Sequence, residues 1–174
     1  AIIFSIQFHQ LYIISSKSWT IEVYASSYIV FSIMLLIGTF LGGYIVDKLG
    51  SIKLMFIYLW PLIPALIALG FFKNQFIIFI LMTLTGFSYG LCLVAFITIW
   101  AELYGTQFMG QIRTFNFSMN VFLTSVIMAT TGWLIDIGVN LEKLCIGGII
   151  FILLSIAMLW YSNQIKSSET KPIR

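Results

Sequence analysis

The stretch Gly42-Gly43-Tyr44-Ile45-Val46-Asp47-Lys48-Leu49-Gly50-Ser51-Ile52-Lys53 decides how this chain folds. Apolar runs of membrane length lie on both sides of it, and its charge is confined to a few residues between them. So short a gap between two such runs forces a tight helical hairpin. Gly42 and Gly43 are expected to let the two helix ends approach closely, and Gly50 to supply a turn with positive φ. Asp47 is costly to leave unpaired at a membrane boundary, so it needs a donor. Lys48 and Lys53 suit a cytoplasmic loop.

The rest of the chain agrees with that hairpin. Of its 174 residues 60% are hydrophobic and 9% charged, and the mean hydropathy is +1.05. A soluble domain carries about 25% charge, so the composition predicts an all-α, polytopic membrane helix bundle instead. The net charge of +3 is small and spread over loops and tail. That suits loops lying against a lipid bilayer, with no nucleic-acid partner. Cys92 and Cys145 fall inside apolar runs and read as packing residues, with no disulfide or metal site implied. The chain opens Ala1-Ile2-Ile3-Phe4 as if in mid-helix, without a signal peptide, and so reads as a fragment of a longer protein.

Six apolar runs cover about residues 1–16, 22–46, 52–72, 75–101, 111–135 and 141–163. They predict a transmembrane bundle over 1–163, followed by a polar, unstructured cytoplasmic tail over 164–174. The first run is short for a span, which needs about 20 residues. Pro61 and Pro64 should kink the third. Lys48, Lys53, Arg113, Lys166, Lys171 and Arg174 fall on one side of the predicted topology, and Lys17, Lys73 and Lys143 on the other. This asymmetry places the first set, with the C-terminus, in the cytoplasm. A repeat is also visible. Gly43 precedes Asp47 by four residues at the end of the second run, and Gly132 precedes Asp136 by four at the end of the fifth. Three helices per repeat is an odd number, so the two three-helix repeats must be inverted relative to each other.

Gly43, Asp47, Lys48, Gly50 and Lys53 together resemble the Gly-x-x-x-Asp-Arg/Lys-x-Gly loop of the major facilitator superfamily of secondary transporters. Here Ser51 and Ile52 separate the last glycine from the following base. A second loop, from Trp100 through Glu102 and Gly105 to Arg113, resembles the family's acid, glycine-rich turn and arginine. With Phe8-His9-Gln10 in the first run, the chain resembles the C-terminal half of a bacterial facilitator of the monocarboxylate or oxalate/formate-antiporter type. The resemblance implies a bacterial inner membrane, a missing N-terminal six-helix half, and a first helix truncated at its start. It also implies that the first, second, fourth and fifth helices line a cavity, and that the loop charges form a latch that opens during transport.

Candidate residues follow. Gln7, His9 and Gln10 cluster on the first run. Tyr89 lies mid-run on the fourth. Asn116, Asn120 and Thr124 share one face of the fifth. His9 sits about seven residues before the end of its run, roughly 10 Å deep at 1.5 Å per residue, and should face Asn116 or Asn120. Interhelical hydrogen bonding is the plainer use of all these groups. The latch set is Gly43, Asp47, Lys48, Gly50, Lys53, Glu102 and Arg113, with Asp47 against residues 110–113 and Lys48 against Glu102. No arginine is expected within the membrane, so a fixed anion-pairing charge is not expected in this half. With one histidine in the chain, no metal centre, cofactor or catalytic residue is expected. Transport of a small solute, an organic anion by resemblance, is therefore the leading reading. A non-transporting scaffold or assembly subunit is the alternative, and an intramembrane enzyme is the remote one.

Overall fold

A computed structural model describes residues 1–105 and 107–169. The protein is all-helical, 86% helix, with no strand among the described residues. In order, the helices are α1 (Ile2–Phe8), α2 (Gln10–Lys17), α3 (Ile21–Leu49), α4 (Ser51–Ile57), α5 (Leu62–Phe71), α6 (Ile77–Tyr104), α7 (Met109–Asp136) and α8 (Leu141–Glu169). Among the described residues five segments are long and apolar enough to cross a membrane: α3, α4 with α5, α6, α7, and α8 as far as Ser162. The first of the six runs does not qualify. It is two short helices meeting at His9, whose φ of −92° and ψ of 27° depart from helical values.

The hairpin forms as the sequence requires. Gly50 adopts φ +83° between α3 and α4, a value other residues rarely take. The third run breaks at residues 58–61 between α4 and α5, at Pro61, whereas Pro64 sits in the first turn of α5. Pro61 has no N–H to give, and Leu62 N–H turns to the Leu59 carbonyl at 3.2 Å. The Tyr58 carbonyl thereby loses its helical partner and accepts from Ser88 Oγ on α6. A break inside the membrane is thus satisfied by a neighbouring helix.

The close approach expected at Gly42 and Gly43 belongs instead to α3 and α6, which pack along much of their length. A Cβ on Gly43 would meet nothing within 4 Å. One on Gly42 would lie 3.2 Å from Val94 of α6. One on Gly86 would lie 2.5 Å from the Phe31 carbonyl oxygen, and one on Gly38 would run into the Phe87 carbonyl. Lipid is as apolar as a leucine side chain, so burial alone does not hold such helices together. Backbone-close dispersion contacts between small residues do. The fully buried Leu54, Leu69, Ile78, Leu81, Met82, Leu91 and Ile152 fill the space among α4, α5, α6 and α8. Outward-facing side chains such as Phe40, 80% exposed, are those that lipid would cover.

Loops at one end are tied together. Lys17 Nζ donates to the Gly70 carbonyl at 2.9 Å and to that of Phe72 at 3.1 Å. Trp19 Nε1 donates to the Lys73 carbonyl at 2.9 Å, and Tyr12 OH to that of Val139 at 3.2 Å. These bonds gather residues 17–20, 70–75 and 139 at one end of the bundle. α8 runs on to Glu169, so residues 164–169 of the expected unstructured tail are helical. The charges at Lys171 and Arg174, the side chain of Lys166, and Thr106 in the second loop lie outside the described residues.

Candidate functional site

α7 is the unusual element. It is apolar enough to span a membrane, yet none of its residues is buried. Polar side chains recur along it. Two cavities lie between it and the rest of the bundle, of about 630 Å³ and about 460 Å³.

The larger cavity is walled by α1, α4 with α5, α6 and α8, and faced by α7. Asn116 and Asn120 line it, as does Tyr89 of α6. Tyr89 is held by stacking on Phe31 at 6.3 Å and an edge contact with Phe4 at 5.6 Å. Thr124 lies one turn beyond Asn120, outside the lining, and its hydroxyl donates to Asn120 Oδ1 at 3.5 Å. Arg113 also lines this cavity, from the second turn of α7. The helix that carries it, α7, begins four residues earlier at Met109 and is long and apolar enough to cross a membrane. Arg113 Nη2 donates to the Ile97 carbonyl of α6 at 3.2 Å, pinning the start of α7.

The smaller cavity holds His9. Its Nδ1–H donates to the Ser5 carbonyl at 3.0 Å; a carbonyl can only accept, so this nitrogen carries the proton. Nε2 then points at α7, where a Cβ on Gly132 would sit 3.3 Å away. Beside it, the buried Ser5 hydroxyl donates to Thr131 Oγ1 at 3.2 Å. His9 is therefore not beside Asn116 or Asn120. Gly132 lies about 18 Å further along α7 than Asn120, at 1.5 Å per residue. The helix break at His9 places its ring over the far end of α7. Gln10 Oε1 accepts from Tyr28 OH at 2.9 Å, an interhelical bond, and Gln7 lines neither cavity.

The loop set is arranged as follows. Glu102 Oε2, at the end of α6, accepts the Ser51 N–H at 2.9 Å and so caps the first turn of α4. The Gly50 turn brings that N–H into reach: a Cβ there would lie 3.3 Å from Glu102 Oε1. Ser51 Oγ donates to Thr98 Oγ1 at 2.9 Å, adding a second tie between the hairpin and α6. Lys48 Nζ lies 4.5 Å over the Tyr44 ring, a cation–π contact within its own helix. Lys53 and Asp47 are exposed, and Asp47 has no hydrogen-bond or ion-pair partner among the described residues. α3 packs chiefly on α6 and α4, and α7 on α1 and α6.

Sequence reasoning missed Ser5, Thr131, and the glycine pairs Gly38/Gly42 and Gly86/Gly90, of which it named only Gly42, as part of the hairpin. The glycine signal was present, since both pairs have the Gly-x-x-x-Gly spacing of close helix contacts. Among the described residues no group of histidine, cysteine and acidic side chains is placed to hold a metal. Compared with family models, curated proteins and solved structures, the chain matches none.

Proposed function

We propose that this chain is the C-terminal six-helix half of a facilitator-type secondary transporter, moving a small solute across a bacterial inner membrane by alternating access. One observation carries the reading: an unburied, polar-faced, membrane-length α7 stands over a cavity of about 630 Å³. Polar groups are costly in a membrane, and on a cavity wall they serve a solute path. Part of the pattern of helix contacts is compatible with two inverted repeats, while α5–α6 and α3–α4 have no counterpart of similar extent. Exchanging the three-run groups maps the α3–α6 contact onto α7–α1 and the α5–α8 contact onto itself, and all three interfaces are present. The missing N-terminal half would cover the open side of α7, and the C-terminus would lie in the cytoplasm. Solute uptake by the full-length protein in proteoliposomes, across a panel of organic acids, tests this. The expected result is saturable uptake that Asn120→Leu reduces at equal protein level. Uptake no faster than in protein-free vesicles for every solute refutes it and favours the scaffold reading, in which the same bare α7 docks a partner helix.

A further inference from the structure

Inside the smaller cavity, between α1, α2, α5, α7 and α8, the strong donors are already committed. The Tyr12 hydroxyl donates to the Val139 carbonyl, the Ser5 hydroxyl to Thr131 Oγ1, and the Thr131 hydroxyl to the Ile127 carbonyl at 2.8 Å. His9 gives its single N–H, on Nδ1, to the Ser5 carbonyl. Nε2 is left as an acceptor, and no described residue donates to it. The Cys145 thiol is only a weak donor. Lys143, the one charged side chain in the lining, is exposed in the first turn of α8, and no acidic side chain lines the cavity. Most of the remaining wall is apolar, with Ile6, Ile13, Leu66, Leu134 and Phe151 among it.

We propose that this cavity binds a neutral amphiphile with a hydrocarbon body and one hydroxyl, a phenol or a long-chain alcohol, whose O–H is donated to His9 Nε2. An acceptor facing hydrocarbon without a donor carries a desolvation cost that a single O–H removes. The rest of such a molecule asks nothing of walls that offer no further hydrogen bonds, and it fills a volume typical of small-molecule sites. A carboxylate brings only acceptors, which Nε2 repels, and a sugar leaves most of its hydroxyls unpaired against apolar wall. A hydrocarbon body partitions into lipid, and the cavity lies among segments of membrane length, so the bilayer is the source of the ligand. This site is separate from the cavity of the transport reading and does not depend on transport.

The test is equilibrium binding of radiolabelled para-pentylphenol to the full chain in phosphatidylcholine nanodiscs, with protein-free nanodiscs subtracted. Para-pentylanisole, which has the same body and no O–H, is the comparison. Affinities are compared at equal mole fraction in the lipid, so that partition into the bilayer cancels. The phenol should bind about five-fold more tightly, the worth of one net hydrogen bond. His9→Phe keeps a ring but removes the acceptor, and should erase that preference. His9→Gln restores an acceptor and should recover part of it. Leu134→Trp, at a half-buried position of the lining on α7, should fill the cavity and abolish saturable binding of both molecules. The unaltered chain gives a second readout that needs no variant to fold, because His9 is the only histidine. In ¹⁵N-histidine NMR at mildly alkaline pH, the Nε2 resonance should move upfield as the phenol is added, with Nδ1 in place and neither moved by the anisole. An Nε2 resonance that ignores the phenol, a phenol preference unchanged in His9→Phe, or binding unchanged in Leu134→Trp overturns the proposal.

Discussion

Gly90→Ala adds one methyl group where the backbones of α3 and α6 touch. The new Cβ would overlap the Leu35 carbonyl oxygen and lie 2.7 Å from Thr39 N and 2.9 Å from Gly38 C. Every one of those atoms is backbone, so no rotamer change can make room. To bring Thr39 N out to the 3.4 Å of ordinary contact, α3 must retreat by about 0.7 Å, and further for the Leu35 oxygen. A gap of 0.5–1 Å forfeits a quarter to a half of each atom pair's attraction, itself only about 0.1–0.2 kcal/mol. Over some 40 pairs, about what one buried leucine makes, the loss is roughly 2 kcal/mol. Alanine's better helix propensity returns up to about 1 kcal/mol, so the net cost is about 1–2 kcal/mol. Gly43→Ala is the matched control. It lies on the same α3 helix with nothing within 4 Å of its Cβ, so it should be neutral or stabilise by up to about 1 kcal/mol. Equilibrium unfolding in mixed micelles by added dodecyl sulfate, followed by circular dichroism, measures both. The two variants should differ by about 2 kcal/mol, and equal stabilities would refute the backbone-contact account of α3–α6.

Other expectations can be checked as directly. Glu102→Ala should fray α4, speeding amide exchange at Ser51 by about five-fold as a cap of about 1 kcal/mol is lost, while Glu102→Gln keeps an acceptor and exchanges more slowly than Glu102→Ala. Trp19→Phe keeps the ring but removes the N–H given to the Lys73 carbonyl, and should cost about 0.5–1.5 kcal/mol in the same unfolding assay. Asp47→Asn, at an exposed carboxylate with no partner among the described residues, should shift folding stability by under about 0.5 kcal/mol. His9 is the only histidine, so ¹⁵N-histidine NMR reads it without ambiguity. At alkaline pH the spectrum should show the Nδ1–H tautomer, and the Nε2–H tautomer would contradict the bond to Ser5.

What the sequence made legible and what it hid divide along one physical line. Covalent and local rules act within a few residues, and they carried the reading of the Gly50 turn and the break around Pro61. Both rest on backbone geometry that glycine and proline impose wherever they stand. Apolarity likewise carried the helix content, because backbone polar groups in lipid have no partner other than their own segment. Partner choice is different. In lipid the hydrophobic effect does not distinguish one neighbouring helix from another, so an apolar run carries little information about which helix it packs against. Asp47 was assigned a partner by charge and Gly43 a role by proximity to the turn, and neither consideration fixes which helix stands alongside. The residues that do fix it, Gly38, Gly86 and Gly90, are silent in any count of charge or hydropathy. His9 shows the same limit from the other direction. Its depth along the first run was readable, but the break in its own helix turned the ring towards Gly132, away from the amides further along α7. Depth is a property of one segment, whereas facing is a property of two. Arg113 was read as one of the loop charges, and the turn of α7 on which it stands brings its guanidinium to the cavity wall as well. The polar strip that α7 turns to the cavity, Arg113, Asn116 and Asn120, therefore begins with a charge whose placement depended on the helix beside it.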